Sequence, residues 1–212
     1  MTIMNTLSKA IVLLVALSLL TPVIASAKRG NNSNTNNRKE TVSVLTVEQE
    51  DTLLWMREEE KLARDVYLTL YDTWNVAVFK NIANSEQNHM DALLKKVNKF
   101  KLTDPVIPGI GEFSDENLQD LYPILVESGS GSYAAALRVG ATIEDLDIAD
   151  LIEAIEALEN TDNLALKTTY NNLLEGSKNH LRSFIGYLQL QGETYTPQYI
   201  SQELFDAIIN VY

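Results

Sequence analysis

Asn84-Ser85-Glu86-Gln87-Asn88-His89-Met90 sets a carboxylate and an imidazole three residues apart inside the apolar seam of a predicted helix. At i, i+3 the two side chains share one helix face. A seam is where a helix buries apolar surface, so polar groups there need something that offsets their desolvation. Glu-x-x-His on an inward helix face is the ligand pair of carboxylate-bridged two-metal sites. The four-residue pattern also arises by chance, and a solvated face is its plain alternative. The choice depends on whether other helices offer matching groups at the same height.

Around this stretch, Phe79, Ile82, Glu86, His89, Leu93, Val97 and Phe100 form the seam of a helix expected over about 78–100. The preceding helix, about 46–71, opens on the capping box Thr46-x-x-Gln49 and has its seam at Leu53, Met56, Glu60, Ala63, Tyr67 and Leu70. A carboxylate, Glu60, again replaces an apolar residue, while Arg57, Glu58 and Lys61 fall off the seam and are expected to be solvated. The short link through Trp74 makes these two helices antiparallel neighbours. With a rise of about 1.5 Å per residue, Glu60 and Glu86 then stand at nearly the same height.

A long stretch rich in Pro and Gly, 101–131, follows, with one short helix expected at about 115–126 behind a Ser114 cap. Its length can return the chain to the opposite end, making the next long helix parallel to the one at 78–100. That third long helix, about 132–159, carries Leu137, Ala141, Glu144, Asp147 or Ile148, Leu151, Ile155 and Leu158 inward. A fourth, about 163–191, carries Leu166, Tyr170, Leu173, Ser177, His180 or Leu181, Phe184 and Leu188. The tail has a predicted short helix at 200–209, begun near Thr196-Pro197 and expected across the end of the bundle.

The chain has 212 residues, 45% of them hydrophobic, a net charge of −12 and no cysteine. Residues 1–27, with Lys9, an apolar run from Ala10 to Leu20 and Ala25-Ser26-Ala27, read as a secretory signal peptide. The expected location is therefore exported, periplasmic or extracellular, with membrane contact only through an uncleaved signal segment. Residues 28–44, which include KRGNNSNTNNRKE, read as a disordered polar linker, and 45–212 as the folded domain. Without the signal segment the chain keeps 16 Lys+Arg against 29 Asp+Glu, a net charge of −13 that argues against nucleic acid and anionic lipid. Lacking cysteine, an exported chain has neither disulfides nor thiolate ligands.

Collected, the inward polar set is Glu60, Glu86, His89, Glu144, Asp147 and His180, four carboxylates and the chain's 2 histidines. Four negative charges would neutralise two divalent ions, and oxygen with imidazole nitrogen suits iron or manganese. Tyr67 is expected to fill the seam, with lining the site as its alternative, and Trp55 and Trp74 are expected to act as packing anchors.

The run WMREEEKLARDVYLTLY at 55–71, the stretch 83–90 and Gly176-Ser177-Lys178-Asn179-His180-Leu181-Arg182-Ser183-Phe184 resemble a ferritin-like family catalogued as domain of unknown function 2202. The wider likeness is to the ferritin and rubrerythrin superfamily. The resemblance spans about 45–209 and implies an all-α, ferritin-like four-helix bundle with a long crossover between its second and third long helices and a short C-terminal helix. It implies a metal site of Glu60, Glu86, His89, Glu144 and His180 holding iron, as a di-iron or mononuclear centre, or manganese. One departure is Ser177 where such proteins carry the second Glu of Glu-x-x-His; Asp147 is the candidate replacement. Metal ions are the expected partners, with a homodimer left open. The functional expectation is a metal-binding protein with oxidase or peroxidase-type chemistry of a di-iron oxidoreductase; the alternative is a non-enzymatic helical binding module at the cell envelope with a degenerate metal site.

Overall fold

The computed structural model describes residues 44–159 and 161–210. The expected signal peptide and all but the last residue of the expected linker lie outside the described residues. Among those described there are six helices and no strand: α1 Val47–Trp74, α2 Ala77–Phe100, α3 Glu116–Ser130, α4 Tyr133–Glu156, α5 Leu164–Leu190 and α6 Gln202–Ile209. None of them is long and apolar enough to cross a membrane.

The capping box forms as the sequence predicts. Gln49 N donates to Thr46 Oγ1 at 3.3 Å and Thr46 N to Gln49 Oε1 at 3.1 Å, satisfying two amides that the helix itself cannot. At the other end Asn75, at φ 51°, stops α1 in a left-handed cap, and α2 starts two residues later. So short a link folds α2 back onto α1; α4 and α5 form a second hairpin, and α1–α4 and α2–α5 contacts join the two pairs. Trp74 and Phe79 lie 6.3 and 6.4 Å from the Tyr133 ring, so the end of α1 and the starts of α2 and α4 share one end of the molecule. Helices α2 and α4 thus leave that end in the same direction, and residues 101–132 bring the chain back to it. Leu53, Met56, Leu70, Phe79, Leu93, Leu137, Ile148, Phe184 and Leu188 are fully buried between the four long helices.

The outer face of α1 departs from expectation. Arg57, Glu58 and Lys61 are buried, at 4%, 4% and 0% exposure, instead of solvated. Segment 101–115 covers them and answers each charge. Arg57 donates to both oxygens of Asp104 at 3.1 and 3.0 Å, and Glu58 accepts from Ser114 N at 2.7 Å. Lys61 Nζ donates to Asp65 Oδ2, Gly109 O and Glu112 O at 2.5, 2.8 and 2.9 Å, and Asp65 also accepts from Gly111 N at 2.9 Å. Gly109 and Gly111, at φ 114° and 78°, give that loop a path that other residues resist. Helical periodicity identifies the face opposite the seam; it says nothing about a distant segment lying over it.

Smaller differences have local causes. Asp115, not Ser114, caps α3, accepting from Asn117 N at 2.8 Å and Leu118 N at 3.2 Å. The same helix runs through Gly129 to Ser130 because the missing side chain admits Leu70 of α1: a Cβ there would lie 2.7 Å from Leu70 Cδ2. Helix α4 ends at Glu156, earlier than the expected 159. The tail does not cap the bundle end. Tyr195 Oη, Gln198 N, Tyr199 N and Ile200 N all donate to buried Asp145, at 2.8, 2.5, 3.3 and 3.0 Å, which ties the tail to the middle of α4. Helix α6 then begins behind Ser201 rather than at Thr196-Pro197, and Arg182 of α5 donates to its Ile208 carbonyl at 3.2 Å.

Candidate metal centre

Four helices deliver the six predicted residues to one interior region: Glu60 from α1, Glu86 and His89 from α2, Glu144 and Asp147 from α4, and His180 from α5. Glu60, Glu86 and Glu144 are each 2% exposed, Asp147 6% and His180 7%, while His89 keeps a slightly more open edge. They stand together because each replaces one apolar residue in its helix's seam, at matching heights in the two hairpins.

The set divides into two triads. Ligand atoms of Glu60, Glu86 and His89 lie within 4.8 Å of one another, as do those of Glu86, Glu144 and His180. Glu86 belongs to both and gives one oxygen to each: Oε2 is 2.8 Å from His89 Nδ1 and Oε1 is 2.8 Å from His180 Nδ1. Glu60 Oε2 completes the first triad at 3.2 Å from His89 Nδ1, and Glu144 Oε2 the second at 3.4 Å from His180 Nδ1. The two imidazoles stack with centroids 5.5 Å apart.

Asp147 joins neither triad. One of its oxygens accepts a short hydrogen bond from Ser177 Oγ, so the hydroxyl on α5 meets a carboxylate supplied by α4. Asp147 lines a small cavity with Glu60, Glu86 and Glu144, walled by Ala63 and Ile143. Glu175, by contrast, is exposed and pairs with Lys178.

The centre also holds residues beyond the six predicted ligands. Glu59 also lines the cavity, although it is next to Glu60 and off the seam. Tyr67 does more than fill space, since its hydroxyl donates to Glu144 Oε1 at 2.6 Å. Ser85 Oγ lies 2.9 Å from His180 Nε2. Gly176 is needed for close approach: a Cβ there would come within 2.5 Å of His89 Nε2. Tyr67 left a signal by standing on the seam seven residues after Glu60, and Gly176 left one as a glycine inside a helix where alanine is more favourable; Glu59 and Ser85 left none.

Electrostatics follow from burying this many acids together. Burial and neighbouring Asp147 push Glu60 well above the usual carboxylate range against the pull of His89. Burial, with Glu86, raises Glu144 to about 7, and burial, with Glu144, raises Asp147 to about 8. Glu86 runs the other way: burial would raise it, but His180 and His89 together hold it below the ordinary range. Burial would likewise depress the histidines, yet Glu60 and Glu86 lift His89 to about 12, and Glu144 and Glu86 lift His180 to about 10. The centre thus retains protons at neutral pH in the absence of other cations.

Glu60 Oε1 and Asp147 Oδ1 are buried with no hydrogen-bond partner among the described residues. A buried carboxylate oxygen without a donor is poorly solvated, and a cation would supply what it lacks. The donors are carboxylate oxygen and imidazole nitrogen, a set that suits divalent first-row metals. On both counts the residues fit a metal.

Residues 49–212 match the family described as "Uncharacterized protein domain (DUF2202)". The chain is 52% identical over 167 residues to the uncharacterized protein MJ0754 of Methanocaldococcus jannaschii, covering 78% of this chain and 89% of that one. It is also similar to the crystal structure of hypothetical protein MJ0754 from Methanococcus jannaschii, with a TM-score of 0.76 and 49% identity over 85% of this chain and 99% of that one.

Proposed function

We propose that this chain, which belongs to the DUF2202 family, is an exported, ferritin-like protein that binds iron or manganese between its four long helices. The observation that carries the reading is the position of Glu86, which turns one oxygen to each of two Glu/His triads and so can bridge two ions. The ferritin-like assignment draws on the two hairpins, the shared direction of α2 and α4, and the donation of ligands by four helices. Export draws on residues 1–27 alone.

Glu60 and His89 would hold one ion, Glu144 and His180 the other, and Glu86 both. A redox-active metal bound there supplies electron transfer to or from dioxygen, peroxide or ferrous iron. The chain's own part is to hold the ligands, exclude bulk water with Ala63 and Ile143, and take up or release protons at Glu144 and Asp147. Asp147 stands beside Ser177 where a second bridging carboxylate is otherwise missing.

Ser177 is also what favours a second reading, a non-enzymatic helical module at the cell envelope whose metal site has degenerated. Metal analysis after refolding with ferrous iron or Mn²⁺ separates the two. The metal reading expects stoichiometric metal in the wild type and its loss in the Glu86→Ala/His89→Ala variant; a metal-free wild type overturns it. Chelator gives the same answer by melting, since an ion at a hundred times its Kd stabilises the folded state by about 2.7 kcal/mol.

A further inference from the structure

The two triads share Glu86 but are supported unequally. In the Glu86–Glu144–His180 triad, both ligands outside the shared one are held from behind. Tyr67 Oη donates to Glu144 Oε1 at 2.6 Å, and Tyr67 is itself locked by the Phe184 ring, 5.2 Å away. His180 Nε2 meets Ser85 Oγ at 2.9 Å, which leaves Nδ1 turned toward Glu86 and Glu144 at 2.8 and 3.4 Å. A hydroxyl that accepts from Nε2–H selects the tautomer whose Nδ1 lone pair faces the ion.

The Glu60–Glu86–His89 triad has no such support. Glu60 Oε1 is buried without a hydrogen-bond partner among the described residues. His89 Nε2 lies against the backbone at Gly176, and no hydrogen bond among the described residues holds it. The His89 side chain is also the more exposed of the two imidazoles, at 12% against 8%. Ligands that no protein hydrogen bond holds from behind keep more freedom, and ordering them on an ion's arrival opposes binding.

We propose that the two triads are unequal cation sites: Glu86–Glu144–His180 holds a resident ion, Glu60–Glu86–His89 holds an exchangeable one, and Ser85 and Tyr67 are the positioning residues that create the difference. The inference rests on the metal-binding reading and deepens it. It assigns Ser85, in the same motif as Glu86 and His89, to the opposite hairpin's histidine. The same residue of α2 thereby couples the metal-facing side of α5 to the second triad while its neighbour Glu86 serves both.

The test is a calorimetric titration of the chelator-stripped full chain with Mn²⁺, with helicity and melting recorded for every variant. Wild type is expected to bind in two steps at least tenfold apart in affinity. Ser85→Ala and Tyr67→Phe should weaken the tight step by about 10- to 100-fold, the usual effect of removing a ligand's supporting partner, and spare the weak one. Ser85→Thr, which keeps the hydroxyl, should restore it. Glu60→Gln should abolish the weak step and spare the tight one. Two equal steps in the wild type, or a weak step that responds to Ser85→Ala in place of the tight step, overturn the inference while leaving the metal reading intact. Variants that leave both steps unchanged overturn it too, as does a single step that Glu60→Gln abolishes and Glu144→Gln spares. An absence of Mn²⁺ binding overturns the metal reading and this inference together.

Discussion

Glu86 and His180 lie 2.8 Å apart, Oε1 to Nδ1, although one belongs to the α1–α2 hairpin and the other to α4–α5. Through Glu86 the same contact reaches His89, so the charges of the two hairpins are joined at one carboxylate. Whatever changes the charge at this point changes both triads.

Stability of the metal-free protein should therefore fall as pH rises from about 5 to 8. Glu144 at about 7 and Asp147 at about 8 are raised above their ordinary 4.5 and 3.8, so the folded chain keeps protons that the unfolded chain loses in this window. His89 and His180, raised to about 12 and about 10, act in the same sense: their stabilisation is complete below their ordinary 6.5 and declines above it. Glu86 opposes them, but only below its ordinary 4.5. Melting in chelator across this range is the measurement, and a rising Tm contradicts the assignment. On the metal-binding reading an arriving ion would displace these protons, so adding Mn²⁺ in weak buffer should acidify the solution.

Two glycines of α5 offer a matched pair. Gly176→Ala puts a Cβ within 2.5 Å of His89 Nε2 and should displace that ring, destabilising the protein by about 1–3 kcal/mol. Gly186→Ala meets nothing within 4 Å and should stabilise it by about 0.5–1 kcal/mol through helix propensity. Urea melts read both. Equal effects would show that His89 does not rest against Gly176.

Lys61→Met removes the cation that Asp65, Gly109 O and Glu112 O surround. Asp65 is left buried with only Arg64 and Gly111 N, and the expected loss is about 3–5 kcal/mol. Limited proteolysis should then cut within 101–115. A variant as stable and as resistant as wild type would mean that this segment is held by other contacts.

Asp145→Ala releases four donors from the tail at once: Tyr195 Oη, Gln198 N, Tyr199 N and Ile200 N. Faster amide exchange at 198–200 is expected, together with a loss of the order of 1–3 kcal/mol for the groups left unpaired. Unchanged exchange there would show that the tail is held by its other contacts, among them Arg138 on Thr194 O and Gln198 Nε2 on Thr142.

The centre was legible wherever its residues interrupt a local pattern. Glu60 falls between Met56 and Ala63, Glu86 and His89 between Ile82 and Leu93, and Glu144 between Ala141 and Ile148; all of these seams are buried or nearly so in the structure. Glu59 and Asp145, each beside a seam carboxylate, were not legible. On one helix in isolation they point to solvent, and only neighbouring segments bury them.

Periodicity thus suffices for the four long helices, their inward faces and the polar interruptions at Glu60, Glu86, His89 and Glu144, while at Asp147 and His180 it left Ile148 and Leu181 as alternatives; an α-helix repeats over a few residues and its seam is written in that interval. The path of residues 101–115 over Arg57 and Lys61, the tail's hold on Asp145, the hydroxyls of Tyr67 and Ser85 behind Glu144 and His180, and the division of Glu86 between two triads come from tertiary packing. Each depends on how segments distant in the chain pass one another, and no local repeat encodes that approach.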